Sequence, residues 1–270
     1  MKSLSRTILP IIMALSSFAG AAWAGPALDK IKASGKLVYC SDLSAPPFLY
    51  MDPNTLKPTG FDIAVGSSVA TAMGLTAEFE NIGFDGLIPA LQAGQCDAII
   101  SSLYDKPARR VVVDFVDYAI VGNAVIARSD SPLFVQDLQG LSGKKLSVER
   151  GSVNEQEAVD ANKALQQAGK PQITIVTLPK MSDAIQQMVT GLSDSFYGGT
   201  ATVAIYNMTN KDALKLASPQ ISSFATGIAT VKANSDVHDA IKAAFQKIRD
   251  DGAYDGIVKS WSFESMAIKP

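Results

Sequence analysis

The stretch FDGLIPALQAGQCDAIISS, Phe84 to Ser102, packs a helix and a buried strand into one short span. Apolar residues recur at helical spacing up to Gly94, a stop signal, so Phe84 to Ala93 is expected to be helical. Asp97-Ala-Ile-Ile100 then reads as a buried strand. Upstream, Lys36 to Cys40 is a short apolar run, Phe61 to Met73 a helix closed by Gly74, and Ala77 to Glu80 an alternating strand. Strand–helix–strand–helix–strand order implies a parallel sheet with helices on both faces, and such sheets bind ligands at their strand ends.

The pattern repeats downstream. Lys145 to Glu149 is a strand, Asn154 to Gln167 a helix, Gln172 to Val176 a strand, Ser182 to Thr190 a helix and Asp194 to Tyr197 a strand. Two α/β units in tandem predict two lobes. Val112 to Ala127, strand-like and broken by Gly122, and Ala225 to Val231 read as the two crossings between them. Val237 to Trp261, helical with a break at Gly252, returns to the first lobe. The expected division is 25–121 with 231–270 for lobe one and 122–230 for lobe two.

Residues 1–24 carry Lys2 and Arg6, an apolar run and an Ala22-Trp23-Ala24 cleavage pattern, the form of a secretory signal. The mature chain is therefore expected outside the cytoplasm, in the periplasm. A hydrophobic fraction of 47%, a charged fraction of 19% and a net charge of -2 describe a globular chain without a basic face for nucleic acid. Cys40 and Cys96 lie near strand ends, where a disulfide and two buried thiols are both open. His238 is the only histidine, which excludes a Cys/His zinc site and any histidine-based triad; no metal or cofactor is implied.

Five stretches fall in register with one family: Gly60-Phe-Asp-Ile63, Phe84-Asp-Gly-Leu-Ile-Pro-Ala-Leu91, Asp97 to Ser102, Gly143-Lys-Lys145 with Gly151-Ser152, and Asp251 to Trp261. Through them the chain resembles the periplasmic solute-binding proteins of polar amino-acid ABC importers over essentially its whole mature length. The resemblance implies a type II two-lobed fold, each lobe a mostly parallel sheet flanked by helices, and a monomer that closes on a small ligand and delivers it to a membrane permease. It implies that Arg109 grips a ligand carboxylate, with Ser101 and Ser102 at the strand end beside it. A guanidinium suits that task because its planar donors match a carboxylate bidentately. Across the cleft, Ser152, Val153 and Asn154 begin a helix whose amides favour the same anion, although Ser152-x-x-Glu155 is also a capping box. Asp42 stands where relatives that bind cationic side chains place an aspartate. Phe84, Tyr104 and Tyr197 form an aromatic set about the ligand. Asp62 and Asp97 read as structural.

The departures narrow the ligand. Lys106-Pro-Ala-Arg109 replaces the family's Thr-x-x-Arg, and Ala45 stands where basic-amino-acid binders carry an aromatic. In GLSDSFYGGTAT, Gly191 to Thr202, the family's acid for the ligand α-ammonium falls on Gly199, with Gly198 and Thr200 equally uncharged. An ammonium left unpaired in a closed cleft costs several kcal/mol. The expectation is a non-enzymatic binding protein for an amino-acid-like or amino-acid-derived carboxylate whose amine is absent, substituted or directed to Asp42. Betaine-like, opine-like and keto-acid ligands meet it. The alternative is a secreted dehydratase of the cyclohexadienyl type, which needs an acid in the cleft from Glu149 or Glu155.

Overall fold

The computed structural model describes residues 26–268, so the secretory-signal reading of 1–24 lies outside the described residues. The chain opens with α1 (Pro26–Ser34) and β1 (Lys36–Ser41). A small antiparallel sheet of β2 (Ser44–Ala45), β3 (Leu49–Met51) and β4 (Pro58–Thr59) follows. Then come α2 (Phe61–Ala72), β5 (Thr76–Asn81), a 3-10 turn over Phe84–Gly86, α3 (Leu87–Gln92) and β6 (Ala98–Ile99). β1 pairs in parallel with β5 and β6, as the sequence pattern requires. Successive residues of a strand point to opposite faces, and β1 uses both. Tyr39 packs into a cluster with Phe61, Val65, Ile241 and Phe245, while Cys40 joins Leu87, Leu91 and Ile99 on the other side.

β7 (Val113–Arg128) leads into the second unit, β8 (Lys145–Glu149), α4 (Val153–Gln167), β9 (Thr174–Leu178), α5 (Met181–Val189) and β10 (Ser195–Gly199). β8 pairs in parallel with β9 and β10. α6 (Ala201–Thr209) and β11 (Leu214–Leu216) precede β12 (Ser222–Val231), α7 (Ser235–Asp250) and α8 (Ala253–Ser260). The buried face of α7, Val237, Ile241, Ala244, Phe245 and Ile248, has helical period and packs on the first unit. The large sheet runs β5-β1-β6-β12-β7-β10-β8-β9, so two parallel blocks flank one antiparallel ladder of β7 and β12.

Two expectations need correction. β7 is not broken at Gly122, which pairs with Ser223 inside a continuous 16-residue strand; the irregularity falls instead on β12, as a bulge between Thr226 and Gly227. Besides its ladder pairing, the Gly122 carbonyl accepts from the Thr200 amide at 2.8 Å. The strand expected over Asp194 to Tyr197 instead spans Ser195–Gly199, with Gly198 and Gly199 paired with Ala124 and Asn123.

Two links fix the ends of the strands that meet the site. Cys40 and Cys96 form a disulfide with a Cα–Cα distance of 5.6 Å. Just beyond β6, Ser102 takes φ 45°, a left-handed conformation unusual for serine. Buried Asp62 at the start of α2 holds it there, its Oδ2 accepting from the Ser102 amide at 2.5 Å and from Ser102 Oγ at 3.0 Å. Burial lifts the Asp62 carboxyl from 3.8 to about 7.

Replacing both cysteines with alanine should lower unfolding free energy by about 4 kcal/mol, the loop-closure value for a closed span of this length, read from urea midpoints at unchanged slope. A loss below about 1 kcal/mol would mean the bond contributes no such constraint. Because the Asp62 pKa is raised on folding, its stabilising contribution is complete below about pH 4 and is lost as pH rises through about 7. Melting temperature is therefore expected to fall between pH 5 and 8, less steeply in Asp62→Asn; an identical slope in both proteins contradicts this.

Candidate functional site

A cavity of about 50 Å³ lies where β6, β8 and β10 end, against the N-terminus of α4. Arg109, Ser101, Ser102, Phe84 and Tyr104 line it from the first unit, and Ser152, Val153, Asn154, Tyr197 and Gly199 from the second. The structure thus brings together ten residues that the sequence had singled out. Asp42 is the exception. It is 2% exposed, its Oδ2 accepts from the Phe84 amide at 2.9 Å, and it is not among the lining residues. The cavity also takes in Phe48, Glu149, Met181 and Phe196, which had no site role in the binding-protein reading.

Arg109 sits in the turn between β6 and β7. Its Nη1 donates to the Tyr104 carbonyl at 2.9 Å and its Nη2 to the Gly151 carbonyl at 3.3 Å, while the guanidinium lies 5.7 Å from the Phe84 ring centroid. Both acceptors are neutral carbonyls, and burial pushes the guanidinium down to about 10. Arg110, by contrast, is exposed and pairs with Asp105.

Opposite Arg109, the α4 cap explains why Ser152 is present. Its Oγ accepts from the Glu155 amide at 3.0 Å and donates to the Glu149 carbonyl at 2.7 Å, so its hydroxyl is already occupied. Glu155 reaches back to the Gly151 amide at 2.8 Å and accepts from Thr177 at 2.9 Å, and it stays out of the cavity. First-turn amides of a helix have no intrahelical acceptor and carry the positive end of its dipole. Asn154 adds a side-chain donor: the residue is 8% exposed, lines the cavity, and its Nδ2 has no partner among the described residues. These groups together favour an anion.

Phe84, Tyr104 and Tyr197 all line the cavity, and the two tyrosines are anchored through their hydroxyls. The Tyr104 ring packs on Phe224 at 5.2 Å, and its hydroxyl donates to Asn123 at 2.8 Å. Tyr197 donates to Glu157 at 2.8 Å and lies 3.0 Å from Ser222 Oγ. The Tyr104 phenol is thus tied to β7 and the Tyr197 phenol to α4 and β12, and burial raises both their pKa values. At the end of β10, the ring of Phe196 fills the space of a side chain at Gly198, where a Cβ would lie 2.5 Å from its Cζ. Gly199 is different. A Cβ there would meet Val121 at 3.4 Å and Phe48 at 3.5 Å, close to ordinary contact, so packing alone does not demand glycine.

Glu149 ends β8 inside the cavity. It is 8% exposed, and its Oε1 has no hydrogen-bond partner among the described residues. Burial, then the negative charges of Asp42 and Asp85, hold its carboxyl well above the usual carboxylate range, with only the Met181 amide acting the other way. In the sequence it is one charged residue at a strand end, with nothing to mark the missing partner.

Residues 37–265 match the model of the bacterial extracellular solute-binding proteins, family 3. A putative ABC transporter arginine-binding protein of Escherichia coli K12 is 25% identical over 227 residues, covering 83% of this chain and 89% of the relative. A mutant of ArgBP from T. maritima superposes with a TM-score of 0.79 at 28% identity, covering 88% of this chain and 100% of that one. The ancestral amino acid-binding protein AncCDT-1, a precursor of cyclohexadienyl dehydratase, gives a TM-score of 0.77 at 26% identity over 87% of this chain and 98% of its own. The two α/β blocks, the ladder between them and the cavity at their strand ends are thus the two-lobed fold that the motifs implied, and the chain belongs to the bacterial extracellular solute-binding proteins of family 3.

Proposed function

We propose that this chain is the substrate-binding subunit of an ABC importer and that its ligand presents a carboxylate to Arg109. The observation that carries the reading is a half-buried guanidinium with no carboxylate paired to it among the described residues, its acceptors being two backbone carbonyls. A buried charge without a counter-charge is costly, and an anionic ligand supplies one. Asn154 Nδ2 and the first-turn amides of α4 add donors on the opposite wall. ABC-transporter amino-acid-binding relatives support the importer role.

On this reading lobe one comprises 25–121 with 231–270, lobe two 122–230, and closure flexes β7 and β12 while the closed form docks on the permease. The protein works as a monomer outside the cytoplasm after loss of residues 1–24, without cofactor or nucleic acid. It releases its ligand unchanged. Because Gly199 offers no acid, an ordinary α-amino acid in the family pose lacks a partner for its ammonium. One observation favours a second reading: Glu149 is a buried acid lining the cavity, as a dehydratase would need. Turnover of prephenate, followed by absorbance and lost in Glu149→Gln, would replace binding by catalysis.

In thermal-shift screening of the mature protein against small carboxylates, a ligand at about 100 times its Kd should add about 2.7 kcal/mol of stability. Arg109→Ala should weaken that ligand by about 2–5 kcal/mol, roughly thirty-fold to several-thousand-fold, and abolish the shift at the same concentration. An undiminished shift in Arg109→Ala removes Arg109 from the site.

A further inference from the structure

Apart from Arg109 and the α4 amides, the cavity contains one group whose bonding is incomplete in the opposite sense. Glu149 Oε1 is an acceptor without a donor, on a residue more than nine-tenths buried that lines the same cavity. The charged groups that face it are Asp42 and Asp85 from the other lobe, both acidic, and the neighbouring backbone contributes one amide, that of Met181. The nearby cations are directed elsewhere: Lys180 acts on Asp42, and Arg150 lies 3.9 Å from Asp85. Glu149 is thus the one acid lining the cavity, with Asp42 and Asp85 adding negative potential from outside the lining, while at the end of β10 no side chain is available to neutralise an amine.

We propose that Glu149 is the acceptor for a positively charged N–H group of the ligand, in place of the acid that β10 lacks at Gly199. This rests on the carboxylate reading of Arg109. The ligand then carries both charges, a carboxylate towards Arg109 and α4 and an ammonium or guanidinium towards Glu149. Its cationic nitrogen need not be on the α-carbon. A quaternary ammonium has no N–H for Oε1, and a keto acid has no cation, so betaine-like and keto-acid ligands are disfavoured. Asp42, off the cavity lining, adds negative potential rather than a direct contact. Burial and the negative charge of Asp42 favour the protonated form of Glu149 in the empty cavity; an arriving cation favours the carboxylate, and the proton so released goes to solvent.

The test uses calorimetry on the mature chain between pH 5.5 and 8.5. The probes are 4-aminobutyrate, 4-guanidinobutyrate and L-arginine, set against 4-acetamidobutyrate, γ-butyrobetaine and pentanoate. The cationic N–H probes should bind at least about tenfold tighter than the others. Their affinity should rise with pH, by up to about tenfold per unit, until Glu149 ionises in the free protein. Heats measured in buffers of different ionisation enthalpy should reveal proton release in the unaltered protein. Glu149→Gln should lose the preference and most of the pH slope, while any slope from Asp62 persists in it. Equal affinity for 4-acetamidobutyrate and 4-aminobutyrate, affinity that falls as pH rises, or Glu149→Gln binding like the parent overturns the inference. If Arg109→Ala still abolishes binding in those cases, the carboxylate reading stands alone. A parent protein that binds none of the six probes overturns both.

Discussion

A half-buried guanidinium without a counter-charge is the constraint on which the rest of the site depends. Arg109 is pinned by the Tyr104 carbonyl on its own lobe and by the Gly151 carbonyl on the other, so the one side chain touches both walls of the cleft. Neutral carbonyls compensate a cation only in part. On the proposed reading, an anion placed between Arg109 and the start of α4 completes the compensation. The buried Asp62 that fixes Ser102 and the disulfide that ties β1 to the approach of β6 keep this wall rigid enough for the geometry to matter.

The continuous β7–β12 ladder supports the arrangement from beneath. A chain of hydrogen bonds runs along it: Tyr104 to Asn123 on β7, Asn123 to Ser222 on β12 at 3.4 Å, and Ser222 to Tyr197 on β10 and Glu157 on α4. It links residues on both sides of the cavity to both strands of the ladder. Both tyrosines therefore act as struts. They line the cavity together with Phe84, Phe48 and Phe196.

Most of the architecture was legible because it rests on local pattern. The strand over Lys145 to Glu149, the helix that ends before Gly252 and the cap at Ser152 follow from period and capping chemistry, and the structure reproduces them. Gly122 misled because propensity treats glycine as a breaker, whereas paired neighbours on both sides hold it in the ladder. α6 gave no signal: it follows two glycines and has no side-chain cap. At the site, family register identified Arg109 and the α4 start, but not what each side chain bonds. The Asp42 carboxylate accepts from the Phe84 amide, and Phe48, which follows Pro46 and Pro47, reaches the cavity without any signal in the sequence. An acceptor without a donor, as at Glu149, becomes visible only once every neighbour has a position.

The most direct measurement is a crystal structure of the mature protein with the ligand retained through purification. The account predicts a carboxylate within hydrogen-bond distance of the Arg109 guanidinium and the first amides of α4, and an N–H cation on Glu149 rather than near Gly199. A ligand whose carboxylate lies away from Arg109, leaving the guanidinium on its two carbonyls alone, would contradict it.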